Sequence, residues 1–162
     1  MGGLTVWLHH FRDLHERARK GALTKSEEAN YLTLREELAR AMIAAQKLTL
    51  QPGQLPRRAL RVARALQLDI EVGGMNQRTL TLDLSTGGFS ALLARPPALG
   101  ELVSVTLRLP AAESLACRAR ITEVKPSGGP VRVGAQYIDL PAADRERLEM
   151  FIIDTVLALF TT

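Results

Sequence analysis

Four arginines, Arg57, Arg58, Arg61 and Arg64, fall within eight positions just after Pro56. Arg57 and Arg61 stand four apart. Downstream, Asp83-Leu84-Ser85-Thr86-Gly87-Gly88 brings a carboxylate, a hydroxyl and two glycines together. An arginine fork can hold a phosphate through two hydrogen bonds, or stack its plane on an aromatic ring. A carboxylate can accept hydrogen bonds from N–H donors, and a serine beside it adds a donor or acceptor. Gly87-Gly88 turns the chain and lets another group approach the backbone closely. Each segment also has a plainer reading. Clustered arginines are commonly solvated surface, and Asp, Ser and Gly are ordinary turn formers.

The remaining reactive side chains suggest no catalysis. His9, His10 and His15 share one predicted helix, but none is spaced four apart as a helical metal pair would be. They read as surface or hairpin-packing residues, and no metal site is expected. Cys117 is the single cysteine and alternates with polar neighbours, so it reads as an inert core thiol. No nucleophile elbow and no glycine-rich dinucleotide loop occurs. The expectation is a protein that is not an enzyme and carries no cofactor.

Composition bounds the class. The 162 residues are 46% hydrophobic with a net charge of +4, which excludes a disordered chain. One thiol excludes a disulfide scaffold. No apolar run reaches the ~18–20 residues of a membrane span, and no apolar signal core follows Met1. A cytoplasmic location is therefore expected. Basic residues are spread evenly, with 8 against 6 acidic in residues 1–50 and 13 against 11 beyond. Aromatic residues make up only 4%. Neither a polybasic arm nor a base-stacking platform is present, which argues against DNA or RNA as partner.

The elements that must position these residues follow from periodicity. Leu4, Trp7, Leu8, Phe11 and Leu14 predict a helix stopped at Lys20-Gly21. Thr24 with Glu27 predicts a capping box for a second helix. Its seam runs through Tyr31, Leu34, Leu38, Ala41, Ala45 and Leu48, beside a strip of Leu32, Ala39, Met42 and Ile43. Residues 1–50 thus read as a helical hairpin, and the Pro/Gly segment 51–56 marks a boundary. Beyond it the period is two. Runs at Leu66–Val72, Thr79–Leu84, Phe89–Leu93, Val103–Leu109, Cys117–Thr122 and Val131–Tyr137 predict about six antiparallel strands. On the second run, Leu80, Leu82 and Leu84 are expected to face the core, with Asp83 and Ser85 pointing away from it. A last helix is expected from Pro141, with a core stripe of Leu148, Phe151, Ile152, Val156 and Leu159. Met150, Ile153, Leu157 and Phe160 fall on its other faces. Those leftover apolar faces, with the strip beside the seam of the second helix, predict self-association through helices, as a dimer.

Arg57-Arg58-Ala59-Leu60-Arg61 followed by Asp83-Leu84-Ser85-Thr86-Gly87-Gly88 resembles the two motifs of PilZ domains, an RxxxR and a D/N-x-S-x-x-G. Both occur in order on a matching strand pattern, over roughly residues 55–160. The resemblance implies a mainly β fold: a six-stranded antiparallel barrel with a C-terminal helix, occupying residues 51–162 behind the hairpin of residues 1–50. It implies a bacterial receptor for cyclic di-GMP, with that nucleotide as ligand. By the resemblance, Arg57 and Arg61 grip phosphate and base, Arg58 helps, and Asp83, Ser85 and Gly88 line the guanine pocket. Binding would change the conformation or the contacts with a partner protein, in control of motility, surface polysaccharide or biofilm. The alternative is a protein–protein adaptor that uses a PilZ-like barrel without the nucleotide.

Overall fold

The computed structural model describes residues 2–47, 60–110, 112–126 and 128–160. Leu48, Arg57, Arg58 and the boundary expected after residue 50 lie outside them. The chain divides into two compact units, Met1–Leu60 with Val156–Thr162, and Arg61–Thr155.

The first unit contains α1 (Gly2–Arg19) and α2 (Lys25–Lys47). Gly21 takes a φ of 68° just past α1, the left-handed position that ends a helix most cheaply with glycine. The capping box forms in both directions. Glu27 N donates to Thr24 Oγ1 at 3.1 Å, and Thr24 N donates to Glu27 Oε1 at 3.0 Å. Phe11, Leu14, Tyr31 and Leu38 are buried, with Phe11 stacked on Tyr31 at 5.6 Å. His15 is a packing residue here, buried with Nδ1 2.7 Å from the Tyr31 hydroxyl. His9 and His10 are exposed. The α2 seam is buried at Tyr31 and Leu38, whereas Ala41 and Ala45 face solvent.

The second unit is a closed antiparallel barrel. Its strands are β1 (Gln67–Val72), β2 (Met75–Leu84), β3 (Gly88–Leu93), β4 (Leu102–Leu107), β5 (Leu115–Pro126) and β6 (Val131–Ile138). They pair in the order β1-β2-β3-β6-β5-β4, and β4 closes on β1. Closure leaves no unpaired edge. Gly73 and Gly74 both have positive φ, as the two-residue turn joining β1 to β2 requires. Leu68, Ile70, Val105, Leu107, Ala119, Ile121, Val133 and Ala135 fill the interior at alternate positions.

β2 departs from the expected parity. Leu80 is 53% and Leu82 38% exposed, while Thr81 is 2% exposed and Leu84 fully buried. The β2–β3 register shifts between Thr81 and Asp83. Such a bulge adds one residue and restarts the alternation, so the leucines on either side of it face opposite ways. Thr81 is tolerated inside because its hydroxyl donates to Arg64 O at 2.6 Å and accepts from Leu66 N at 2.9 Å.

The last helix, α3 (Ala142–Ala158), follows Pro141 as expected. Leu148, Ile152 and Val156 are buried, and so are Ile153 and Leu157. Together they form one broad stripe. Leu159 lies past the end of α3 and is 69% exposed, so it does not belong to the core stripe. Burial of Ile153 and Leu157 removes two of the four α3 residues whose exposure argued for self-association, and leaves the argument from the α2 strip untouched.

Candidate functional site

The two sequence segments meet at the end of β2. Val62 and Leu84 form an isolated antiparallel bridge, each N–H donating to the other's carbonyl at 2.9 Å. This bridge lays the chain before β1 alongside the last residues of β2 and sets Arg61 beside Asp83. Arg61 Nη1 donates to Asp83 Oδ1 at 2.6 Å. Ser90 Oγ donates to the same oxygen at 2.7 Å from the facing strand β3. Arg132 on β6 brings Nη2 within 3.6 Å of Asp83 Oδ2. The Asp83 side chain is only 15% exposed, against 23% for Arg61 and 41% for Arg132. A nearly enclosed carboxylate thus lies between two cations that still reach solvent.

Past Leu84 the strand gives way to a turn. Ser85 N donates to Gly88 O at 2.8 Å, and Gly87 N and Gly88 N reach Ser85 Oγ at 3.1 and 3.3 Å. Ser85 is 3% exposed, so it does not point away from the core as strand alternation would have it. Alternation ends where the turn begins, and the hydroxyl serves the loop backbone instead. Gly88 abuts β6 so closely that an added Cβ would sit 2.1 Å from Ala135 O. Two further bonds secure the loop: Tyr137 N donates to Gly87 O at 3.0 Å, and Arg145 Nη1 on α3 donates to Thr86 O at 3.3 Å.

Two other polar groups lie in the barrel. Tyr137 packs on Phe89 at 5.8 Å, and its buried hydroxyl has no hydrogen-bond partner among the described residues. Burial drives its ionisation far above the usual tyrosine range. The half-buried Cys117 thiol is pushed up to about 11, by burial first and by Asp144 second. Neither is poised as a nucleophile near neutral pH. Among the described residues no three His, Cys, Asp or Glu side chains are grouped to hold a metal ion. No described helix is long and apolar enough to cross a membrane.

The family comparison decides what the barrel is. The PilZ domain family matches residues 56–154. The chain belongs to the PilZ domain family. A curated relative, the flagellar brake protein YcgR of Thioalkalivibrio sulfidiphilus, is 35% identical over 74 residues, covering 43% of this chain and 30% of that protein. The solved Bacillus subtilis inhibitor of motility, MotI/DgrA, superposes with a TM-score of 0.59 at 22% identity, covering 67% of this chain and 55% of the other. Escherichia coli YcgR in complex with c-di-GMP superposes at 0.57 with 17% identity, covering 64% and 47%. These superpositions concern the fold. The chain spans 30% of the length of the curated relative and about half of each solved one.

Within this PilZ domain, Arg61 and Asp83 are brought into contact, and Ser85 and Gly88 build the loop beside them. Three residues of this region escape sequence reasoning: Ser90, Arg132 and Arg145. Ser90 and Arg132 sit at unremarked polar positions of strands, and only the ladder brings them to Asp83. Arg145 reaches Thr86 from a helix whose sequence signal concerns its apolar stripe alone.

Proposed function

We propose that this PilZ domain is a non-enzymatic receptor for cyclic di-GMP. The observation that carries the reading is the Arg61–Asp83 contact, which joins the second arginine of one motif to the acid of the other at 2.6 Å. A phosphate-and-guanine ligand needs both chemistries side by side. Arg61, with Arg57 and Arg58, supplies forks for phosphate and for the O6/N7 edge of guanine. Asp83 accepts from N1–H and N2–H₂. Ser85 and Gly88 line the pocket through the turn they build. The solved E. coli YcgR complex, which has the same fold, holds c-di-GMP, and that supports the choice of ligand. The flagellar brake and inhibitor-of-motility relatives support an output in motility, delivered through changed contacts with a partner protein.

Calorimetric titration of the full chain with cyclic di-GMP, cyclic di-AMP, GMP and GTP tests this. Adenine lacks the O6 acceptor and the N2 donor, so cyclic di-GMP should bind and cyclic di-AMP should not compete. Arg61→Ala and Asp83→Ala should each weaken binding about ten- to a hundredfold, as loss of a charged hydrogen-bonding partner implies. Absent heat, equal binding of cyclic di-AMP, or a loss explained by unfolding in a parallel thermal melt would each overturn the reading.

A further inference from the structure

We infer that Arg132 is the resident counter-charge of Asp83, and that its presence lets Arg61 leave the carboxylate for the ligand. The inference rests on the receptor reading above. Asp83 Oδ1 already accepts from Arg61 Nη1 and Ser90 Oγ, at 2.6 and 2.7 Å. Those two bonds use both lone pairs of that oxygen. Guanine presents N1–H and N2–H₂ side by side, one to each carboxylate oxygen. One of the present Oδ1 donors must therefore give way.

Ser90 is the wrong one to move. It is 2% exposed and sits within the ladder opposite Asp83, so displacing it would strand a buried hydroxyl. Arg61 is more exposed and precedes the barrel strands. It also has a destination, since a phosphate or a guanine edge replaces the carboxylate it leaves. Yet removing Arg61 from a carboxylate that is only 15% exposed would leave a nearly buried charge without its closest cation, which is costly.

Arg132 removes that obstacle. It is held opposite Leu92 in the β3–β6 ladder and faces the other oxygen, Oδ2, at 3.6 Å. That distance is an ion pair but longer than a hydrogen bond, so among the described residues the lone pairs of Oδ2 stay open to a guanine donor. One arginine thus changes partner while the other keeps the carboxylate neutralised. Arg132 acts as a positioning residue through Asp83.

The test is calorimetric titration of the full chain with cyclic di-GMP, paired with a thermal melt of every variant. Arg132→Ala should weaken binding roughly tenfold, and Arg132→Lys by less than about threefold, because lysine keeps the charge. In an Asp83→Asn background, Arg132→Ala should cause no further loss, because its effect runs through the carboxylate charge. Equal binding by the parent and by Arg132→Ala overturns this inference and leaves the receptor reading standing. A loss that persists undiminished in the Asp83→Asn background overturns it too, since Arg132 would then act independently of Asp83. No binding by the parent chain overturns the receptor reading, and this inference with it.

Discussion

Asp83 on β2 and Ser90 on β3 are Cα partners in the barrel ladder, and the Ser90 hydroxyl donates to Asp83 Oδ1 at 2.7 Å. The acid of the second motif is therefore oriented by a residue outside that motif. Hydrogen bonding from a buried neighbour holds the carboxylate plane.

Ser90→Ala should release that constraint. The expected cost is about 1 kcal/mol of stability, with a several-fold loss of affinity for cyclic di-GMP. Ser90→Thr keeps the donor and should bind more tightly than the alanine variant. A urea titration and a calorimetric titration read the two effects. Unchanged affinity in Ser90→Ala would show that the Ser90 hydroxyl does not orient the carboxylate for the ligand.

Gly88→Ala should destabilise the barrel. The added Cβ would lie 2.1 Å from Ala135 O, a backbone atom tied into β6. Forced overpacking of this kind costs about 1–3 kcal/mol or more. At Gly87 the added Cβ would meet only Ser85 Oγ, at 3.7 Å, an ordinary contact. Gly87→Ala should therefore melt near the parent temperature, and comparing the two melts isolates the close approach at Gly88.

Tyr137→Phe should leave stability unchanged or raise it by up to about 1 kcal/mol, since it removes a buried hydroxyl that lacks a partner. The ring and its packing on Phe89 are retained. A destabilised Phe variant in urea unfolding would mean the hydroxyl is satisfied in solution.

Cys117 and Tyr137 predict alkaline sensitivity. The Cys117 thiol rises from an ordinary value of 9.0 to about 11 in the folded chain. Its proton is thus held more tightly folded than unfolded. The stability linked to it is complete below pH 9 and is lost as pH rises towards about 11. Tyr137 is shifted in the same direction and adds to the loss once pH passes the ordinary tyrosine value. Urea midpoints measured from pH 8 to 11 should fall, and Cys117→Ala should flatten the first part of that fall. At pH 8 the native thiol should also alkylate far more slowly than in urea, because a group ionising near 11 holds about a hundredfold less thiolate than one ionising near 9.

The hairpin, the strand runs and both motifs were legible in the sequence because their signals are local. The Thr24–Glu27 box, Gly21 and Pro141 act within a few residues of themselves, and alternation along β1, β4, β5 and β6 reports one buried face. The paired motifs pointed to a shared site through their resemblance to PilZ motifs, and the fold does bring Arg61 against Asp83. The facing of Leu80 and Leu82 was not legible. A bulge depends on how β2 registers against β3, and the alternation of β2 by itself carries no trace of it. Nor could spacing show that Ser85 turns its hydroxyl to its own loop, or that Ser90 and Arg132 meet Asp83. Those contacts join strands distant in sequence, and only the closed ladder, which sets neighbour and register together, brings their side chains onto one carboxylate.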